Sequence, residues 1–266
     1  MIEHRGQSQA MFPTALDPRT YYASPTHEEA LARLEFLVNT RQRLGLLLGG
    51  WGLGKSLVLE LFARQLRDRG VAVAHVNLLG STDEELLVAL AIAWGVGVEL
   101  GWTTRRLTAA IDDRLAECWY LRRSAVVLAD DAGEATPAAL TQLARLIQRP
   151  APHAAQPTLV LAARAETLPN LGRRLLELAE LRVELKPWDA ADLTGYLRTA
   201  LENSGRTQPT FEASAIEHLH ALTQGVPRAA QQIANLAVLA ALGSRQPTID
   251  IHTLEAVIGE LSVAAC

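Results

Sequence analysis

The sequence is poor in the residues that staple, anchor or metallate a protein. Cysteine occurs only twice in 266 residues, at Cys118 and Cys266. The two lie far apart and fit no metal-ligand spacing, so they are expected as reduced thiols in a cytoplasmic protein. His75, His153, His218, His220 and His252 form no ligand spacing either. His218 and His220 are two apart, which puts them on different faces of a helix. Positive charge is not in excess: 25 Lys and Arg against 29 Asp and Glu leave a net charge of −4. That disfavours a generally basic nucleic-acid binder and leaves room for a local basic patch. The opening residues MIEHRGQSQA lack the apolar centre of a signal peptide. The longest apolar run, 233–243, contains Asn235 and is too short to span a bilayer, so direct membrane insertion is not expected. No internal repeat or low-complexity segment is present.

What is present is ample core material, with 49% hydrophobic residues. Residues 1–20 are polar, broken by Pro13 and Pro18, and read as an N-terminal arm. A helix starting near Ser24-Pro25 places Leu31, Leu34, Leu37 and Val38 on one face. Short apolar runs at 44–48, 71–79, 125–129, 158–163 and 181–185 read as strands. Helical periods separate them at 55–69, 82–94, 103–121 and 137–148. Ser81 and Glu84 have the form of a capping box opening the second of these helices. Such alternation predicts an α/β domain over 21–186, a parallel sheet with helices on both faces. After Pro187 only helical periods remain, at 189–203, 212–223, 227–242 and 250–262. They predict a small all-helical domain over 187–266.

Gly49-Gly50-Trp51-Gly52-Leu53-Gly54-Lys55-Ser56 matches the phosphate-loop pattern G-x-x-x-x-G-K-[ST], between an apolar strand and a helix. Glycines let the backbone curl so that successive N–H groups point at phosphate oxygens. The following helix, through Ser56 and Leu57, adds its positive N-terminal end. Lys55 is expected to reach the β- and γ-phosphates of ATP, and the Ser56 hydroxyl to ligate Mg²⁺. Trp51 fits either a cap on the nucleotide or a subunit contact. The strand 126–129 delivers Asp130 and Asp131 to its C-terminal end, where open parallel sheets bind ligands. Asp130 is expected to hold Mg²⁺ and Asp131 to polarise the attacking water.

With these motifs in place, the chain resembles, over nearly its whole length, the AAA+ P-loop ATPases of the general secretion pathway protein A type (ExeA-like). The entry segment from Tyr22 to Leu31, with Ser24, Pro25 and His27, is similar to that family's. Leu161 to Arg164 sits where the family has its sensor-1 strand. Gly225-Val226-Pro227-Arg228 resembles the family's Gly-x-Pro-Arg sensor-2 element in the helical lid. The resemblance extends more weakly to the TnsC-like and MuB-like regulators of transposition, which assemble on DNA. It implies an ATP/ADP-dependent switch that closes its lid on ATP and forms a ring or filament through nucleotide-bridged interfaces, with duplex DNA or a protein client as partner. It implies that Arg228 folds back on the γ-phosphate, and that a trans-acting arginine, Arg173 or Arg174, serves the neighbouring subunit. A solvated helix face is the other reading of that pair.

Two departures from the family pattern bear on rate. The family has Asp-Glu where this chain has Asp130-Asp131, a carboxylate one methylene shorter; Glu134 is a nearby substitute. Ala162 and Ala163 cannot orient water at the sensor-1 position, leaving Arg164 as the polar group. Slow hydrolysis, or a scaffold that scarcely hydrolyses, is therefore expected, with binding untouched. Larger family members continue into a membrane span and a cell-wall-binding domain, roles not expected of the sequence in hand. Tyr22 and His27 fit either an adenine wall or a core edge. The pairs Arg105-Arg106 and Arg122-Arg123 fit either a solvated surface or a path for DNA.

Overall fold

The computed structural model describes residues 21–149, 154–204 and 208–263. The arm at 1–20, His153 and Cys266 lie outside the described residues. Contacts divide the chain into two units. One runs from His27 to Leu185 without Gly52–Gly54; the other holds Lys186 onward, Gly52–Gly54 and the segment up to Thr26.

The first unit alternates helix and strand. Helix α1 (Pro25–Asn39) begins with proline, whose missing N–H costs nothing at a first helical position. It buries Ala30, Leu31, Leu34, Leu37 and Val38 at helical spacing. Strand β1 (Leu44–Leu48), helix α2 (Lys55–Asp68) and strand β2 (Ala72–Asn77) follow. Next come α3 (Asp83–Ala93), α4 (Thr104–Tyr120), β3 (Ala125–Asp130), α5 (Pro137–Gln148) and β4 (Thr158–Ala163). Helix α6 (Gly172–Leu178) and strand β5 (Leu181–Glu184) close the unit. The strands form one five-stranded sheet in the order β2-β3-β4-β1-β5, with every pairing parallel. Every residue of β1, β3 and β4 is buried, as strands covered on both faces require. This is an α/β P-loop fold followed by a helical region.

One expectation needs correcting. The capping box of α3 is Thr82 with Glu85, one residue after Ser81 and Glu84. The Glu85 N–H donates to Thr82 Oγ1 at 3.3 Å, and the Thr82 N–H donates to Glu85 Oε2 at 2.9 Å. Ser81 serves the preceding turn instead. Its N–H donates to the Leu78 carbonyl, and its own carbonyl accepts from both the N–H and the hydroxyl of Thr136, the N-cap of α5.

The second unit packs α7 (Ala190–Asn203), α8 (Ala213–Thr223), α9 (Pro227–Gly243) and α10 (Ile251–Val263). A two-residue parallel pairing, β6 (Thr210–Phe211) with β7 (Thr248–Ile249), ties two of its connections. Its core joins Trp188, Tyr196, Leu193, Leu197 and Leu219 to a run of buried alanines on α9. No helix among the described residues is long and apolar enough to cross a membrane.

Candidate functional site

The loop between β1 and α2 turns through left-handed backbone at Gly52, φ +77°, and Gly54, φ +96°. Side chains rarely adopt that conformation, so the curl of the loop rests on these glycines. Lys55 opens α2 and is buried. Its ammonium donates to the carbonyls of Gly49 and Gly50, each at 3.0 Å. Burial pushes the Lys55 amine below the ordinary lysine range. Asp130 and Asp131 pull it back up, Arg164 pushes it down, and Glu166 raises it again. These groups thus share one electrostatic neighbourhood with the loop. Ser56 is exposed on the first turn of α2, and Leu57 is half-buried beside it. Leu53, within the loop, is buried.

The acidic strand end is built by two adjacent strands. Asp130, buried at the end of β3, accepts the Asp131 N–H on Oδ1 at 2.9 Å. Asp131 itself has left-handed backbone, φ +50°, where aspartate is better tolerated than most residues. Asn77, paired with Asp130 in the sheet register, donates from Nδ2 to Asp131 Oδ2 at 3.0 Å. Its own Oδ1 accepts the Leu79 N–H at 2.8 Å, which fixes the amide orientation. Sequence reasoning missed Asn77. The available signal was a polar residue ending the strand next to the acidic one.

At the end of β4, Ala162 and Ala163 are buried and offer no polar side chain. Arg164 follows and forms an ion pair with Glu134. The carboxylate considered as a substitute water activator is therefore engaged by the arginine considered as sensor. The Arg164 guanidinium also lies 6.0 Å from the ring centroid of Trp51, which is largely exposed.

Of the remaining candidates, Arg173 on α6 is 91% exposed and bonds Glu177 one turn on at 2.6 Å. Arg174 bonds Gln148 at the end of α5. His27 is buried within α1. In the helical unit, Tyr22 meets Trp188 and Tyr196 edge-on, with centroids 5.7 and 6.1 Å away. Arg228 sits on the first turn of α9, after Pro227. Gly225 before it has φ +70°, and a Cβ there would lie 2.0 Å from the Trp188 carbonyl oxygen. Only glycine fits, which gives the Gly-x-Pro-Arg element its physical reason. Within the same unit, the Arg228 N–H donates to the Gly52 carbonyl at 3.3 Å.

No family model matches the chain. General secretion pathway protein A of Aeromonas hydrophila is 29% identical over 264 residues, 98% of this chain and 47% of that protein. The chain thus spans about half the length of this curated relative. Among solved structures, Drosophila ORC bound to DNA is similar with a TM-score of 0.73 at 16% identity, covering 98% of this chain and 68% of that one. Thermotoga maritima RuvB, a Holliday junction branch migration motor, is similar with a TM-score of 0.63 at 17% identity, covering 95% and 74%. These likenesses give the chain the general fold of the AAA+ ATPases.

Proposed function

We propose that this chain binds ATP with Mg²⁺ in the loop Gly49–Ser56 and uses the bound nucleotide to govern assembly on duplex DNA. The observation that carries the nucleotide reading is the buried Lys55 ammonium, held at the phosphate-loop carbonyls within the field of Asp130 and Asp131. A phosphate oxygen can take the place of those loop carbonyls with a stronger, charge-assisted bond, and a triphosphate supplies one. The residues fit the cofactor pair: backbone N–H groups and Lys55 for phosphates, Ser56 and Asp130 for the metal. Mg²⁺, when bound, neutralises phosphate charge. Asp131 orients the attacking water; Arg228, in a lid of residues 187–266, reads the γ-phosphate; Arg173 or Arg174 completes a neighbour's site. Tyr22 and His27 lie in the entry segment that would border the adenine.

Hydrolysis is slow in this reading. Asp131 has a short carboxylate already bonded by Asn77, and β4 ends without a water-positioning side chain. The nucleotide then acts more as a switch for forming and dissolving rings or filaments than as fuel for a motor. The DNA setting is favoured by similarity in fold to proteins solved on DNA or acting at DNA junctions. Calorimetric titration with ATP and Mg²⁺, then turnover with and without duplex at rising salt, tests both parts. Absence of ATP affinity overturns the nucleotide reading. ATP-dependent assembly and turnover unchanged by duplex removes the DNA part alone.

A further inference from the structure

Every strand of the five-stranded sheet is parallel, so the loops entering the strands share one edge, opposite the edge that carries Gly49 and Asp130. That entry edge is rich in arginine. Arg41 and Arg43 precede β1, Arg69 precedes β2, and Arg122 and Arg123 precede β3; all five are exposed. Strands β2 and β3 are neighbours, and the Ala72 N–H donates to the Ser124 carbonyl at 2.9 Å, which brings the segments that carry Arg69 and the Arg122-Arg123 pair to the same edge. The Leu159 N–H donates to the Arg43 carbonyl at 2.8 Å, placing the β1 loop on the same edge.

Nearby carboxylates are mostly engaged. Glu35 pairs with Arg69 at 2.7 Å, Glu117 pairs with Arg114, and Glu180 accepts the Arg43 backbone N–H at 3.1 Å. Among the described residues, Arg41, Arg43, Arg122 and Arg123 have no carboxylate within 4.0 Å. On a chain of net charge −4 this is a pronounced local segregation of positive charge. The same edge carries exposed rings. Trp119 and Tyr120 end α4 edge-to-face, centroids 5.4 Å apart, and Tyr120 is 78% exposed. The rings lie two and three residues before the Arg122-Arg123 pair in sequence.

We propose that this strand-entry edge binds single-stranded nucleic acid, with phosphates on the arginines and an unstacked base on Tyr120. Guanidinium groups along a backbone path, with aromatic faces for bases, are the recurring solution for single strands. Paired bases of a duplex hide their faces, so exposed rings favour an unpaired strand over the duplex considered above. The proposal goes beyond that reading and does not depend on it.

The test is fluorescence anisotropy of a labelled thymidine oligonucleotide of about 20 residues, titrated with the full chain over a range of salt. A duplex of equal length and the ATP titration run alongside. The wild type is expected to bind the single strand more tightly than the duplex. The double variant Arg122→Glu/Arg123→Glu is expected to bind at least tenfold more weakly and to flatten the log–log salt slope by roughly 1.4, about 0.7 per lost phosphate contact. Tyr120→Ala is expected to weaken binding by about fivefold or more at an unchanged salt slope. Both variants keep wild-type ATP affinity, which shows that they fold. Equal single-strand binding by wild type and variants overturns the proposal, as does preference for duplex. Absence of single-strand binding also overturns it; if the charge variant then changes the sedimentation coefficient, the edge is a contact between copies. Single-strand binding lost in these variants with duplex binding unchanged supports the proposal and leaves the duplex reading standing.

Discussion

The two units fill their cores with different side chains. The sheet unit buries branched aliphatics, among them Leu44, Leu46, Leu48, Val127, Leu159 and Leu161. The helical unit relies on alanine, with Ala215, Ala230, Ala234, Ala237 and Ala241 fully buried. Each buried methylene contributes about 0.8 kcal/mol, so an alanine stabilises much less than a leucine at an equivalent place. Small residues let α9 approach its neighbours closely, and the bulk is concentrated in Trp188 and Tyr196, centroids 4.9 Å apart. One unit is therefore a broad platform with redundant contacts. The other combines fewer aliphatics, among them Leu193, Leu219 and Leu254, with two large rings.

The comparison breaks most directly at Trp188. Trp188→Ala should remove about 3–5 kcal/mol and, by calorimetry, melt the helical unit ahead of the sheet unit. Leu128→Ala in β3 should cost about 2–5 kcal/mol and shift the sheet transition instead. A single shared transition in both variants would show that the units unfold together. Lys55→Ala should lower ATP affinity by on the order of 100-fold in calorimetric titration, with both transitions in place, because a buried charged donor to phosphate is lost. Asp131→Glu should raise steady-state turnover by roughly tenfold if reach limits the water step. Unchanged or lower turnover would show that the short carboxylate does not limit the rate. Asn77→Ala should raise turnover least, about fivefold, by releasing one hydrogen bond of about 1 kcal/mol from the Asp131 carboxylate. A fall would show that Asn77 orients that carboxylate productively.

Much of the sheet unit was legible because its strands are continuous apolar runs and its turns carry glycine or acid at their ends. The loop Gly49–Ser56 is a contiguous motif, so spacing alone delivers it. What escaped was of two kinds. Helix α6 is only seven residues long and follows a 3-10 segment containing Pro169, too short for a helical period to emerge. The pairing of β6 with β7 involves two residues each, below any alternation signal. In the site, Asn77 and the Arg164–Glu134 pair depend on neighbours brought together by sheet order, the partners standing 54 and 30 positions apart in sequence. Sequence spacing carries no such information. The frame of α3's cap slipped by one because Ser81 and Thr82 offer the same chemistry, and only the tie from Ser81 to Thr136 distinguishes them.

Gly133 lies two residues past Asp131, and a Cβ there would fall 2.0 Å from Thr167 Oγ1. The turn after β3 thus seats directly on the turn after β4, with the Thr167 side chain filling the place a Cβ at position 133 would take. Asn170 adds a hydrogen bond to the Gly133 carbonyl at 2.9 Å, and the Arg164–Glu134 pair closes the joint from the other side. Helix α6, with Arg173 and Arg174, begins immediately after that second turn. The joint works as a mortise. A side chain introduced at position 133 must therefore displace either the backbone two residues past Asp131 or the turn that leads into α6.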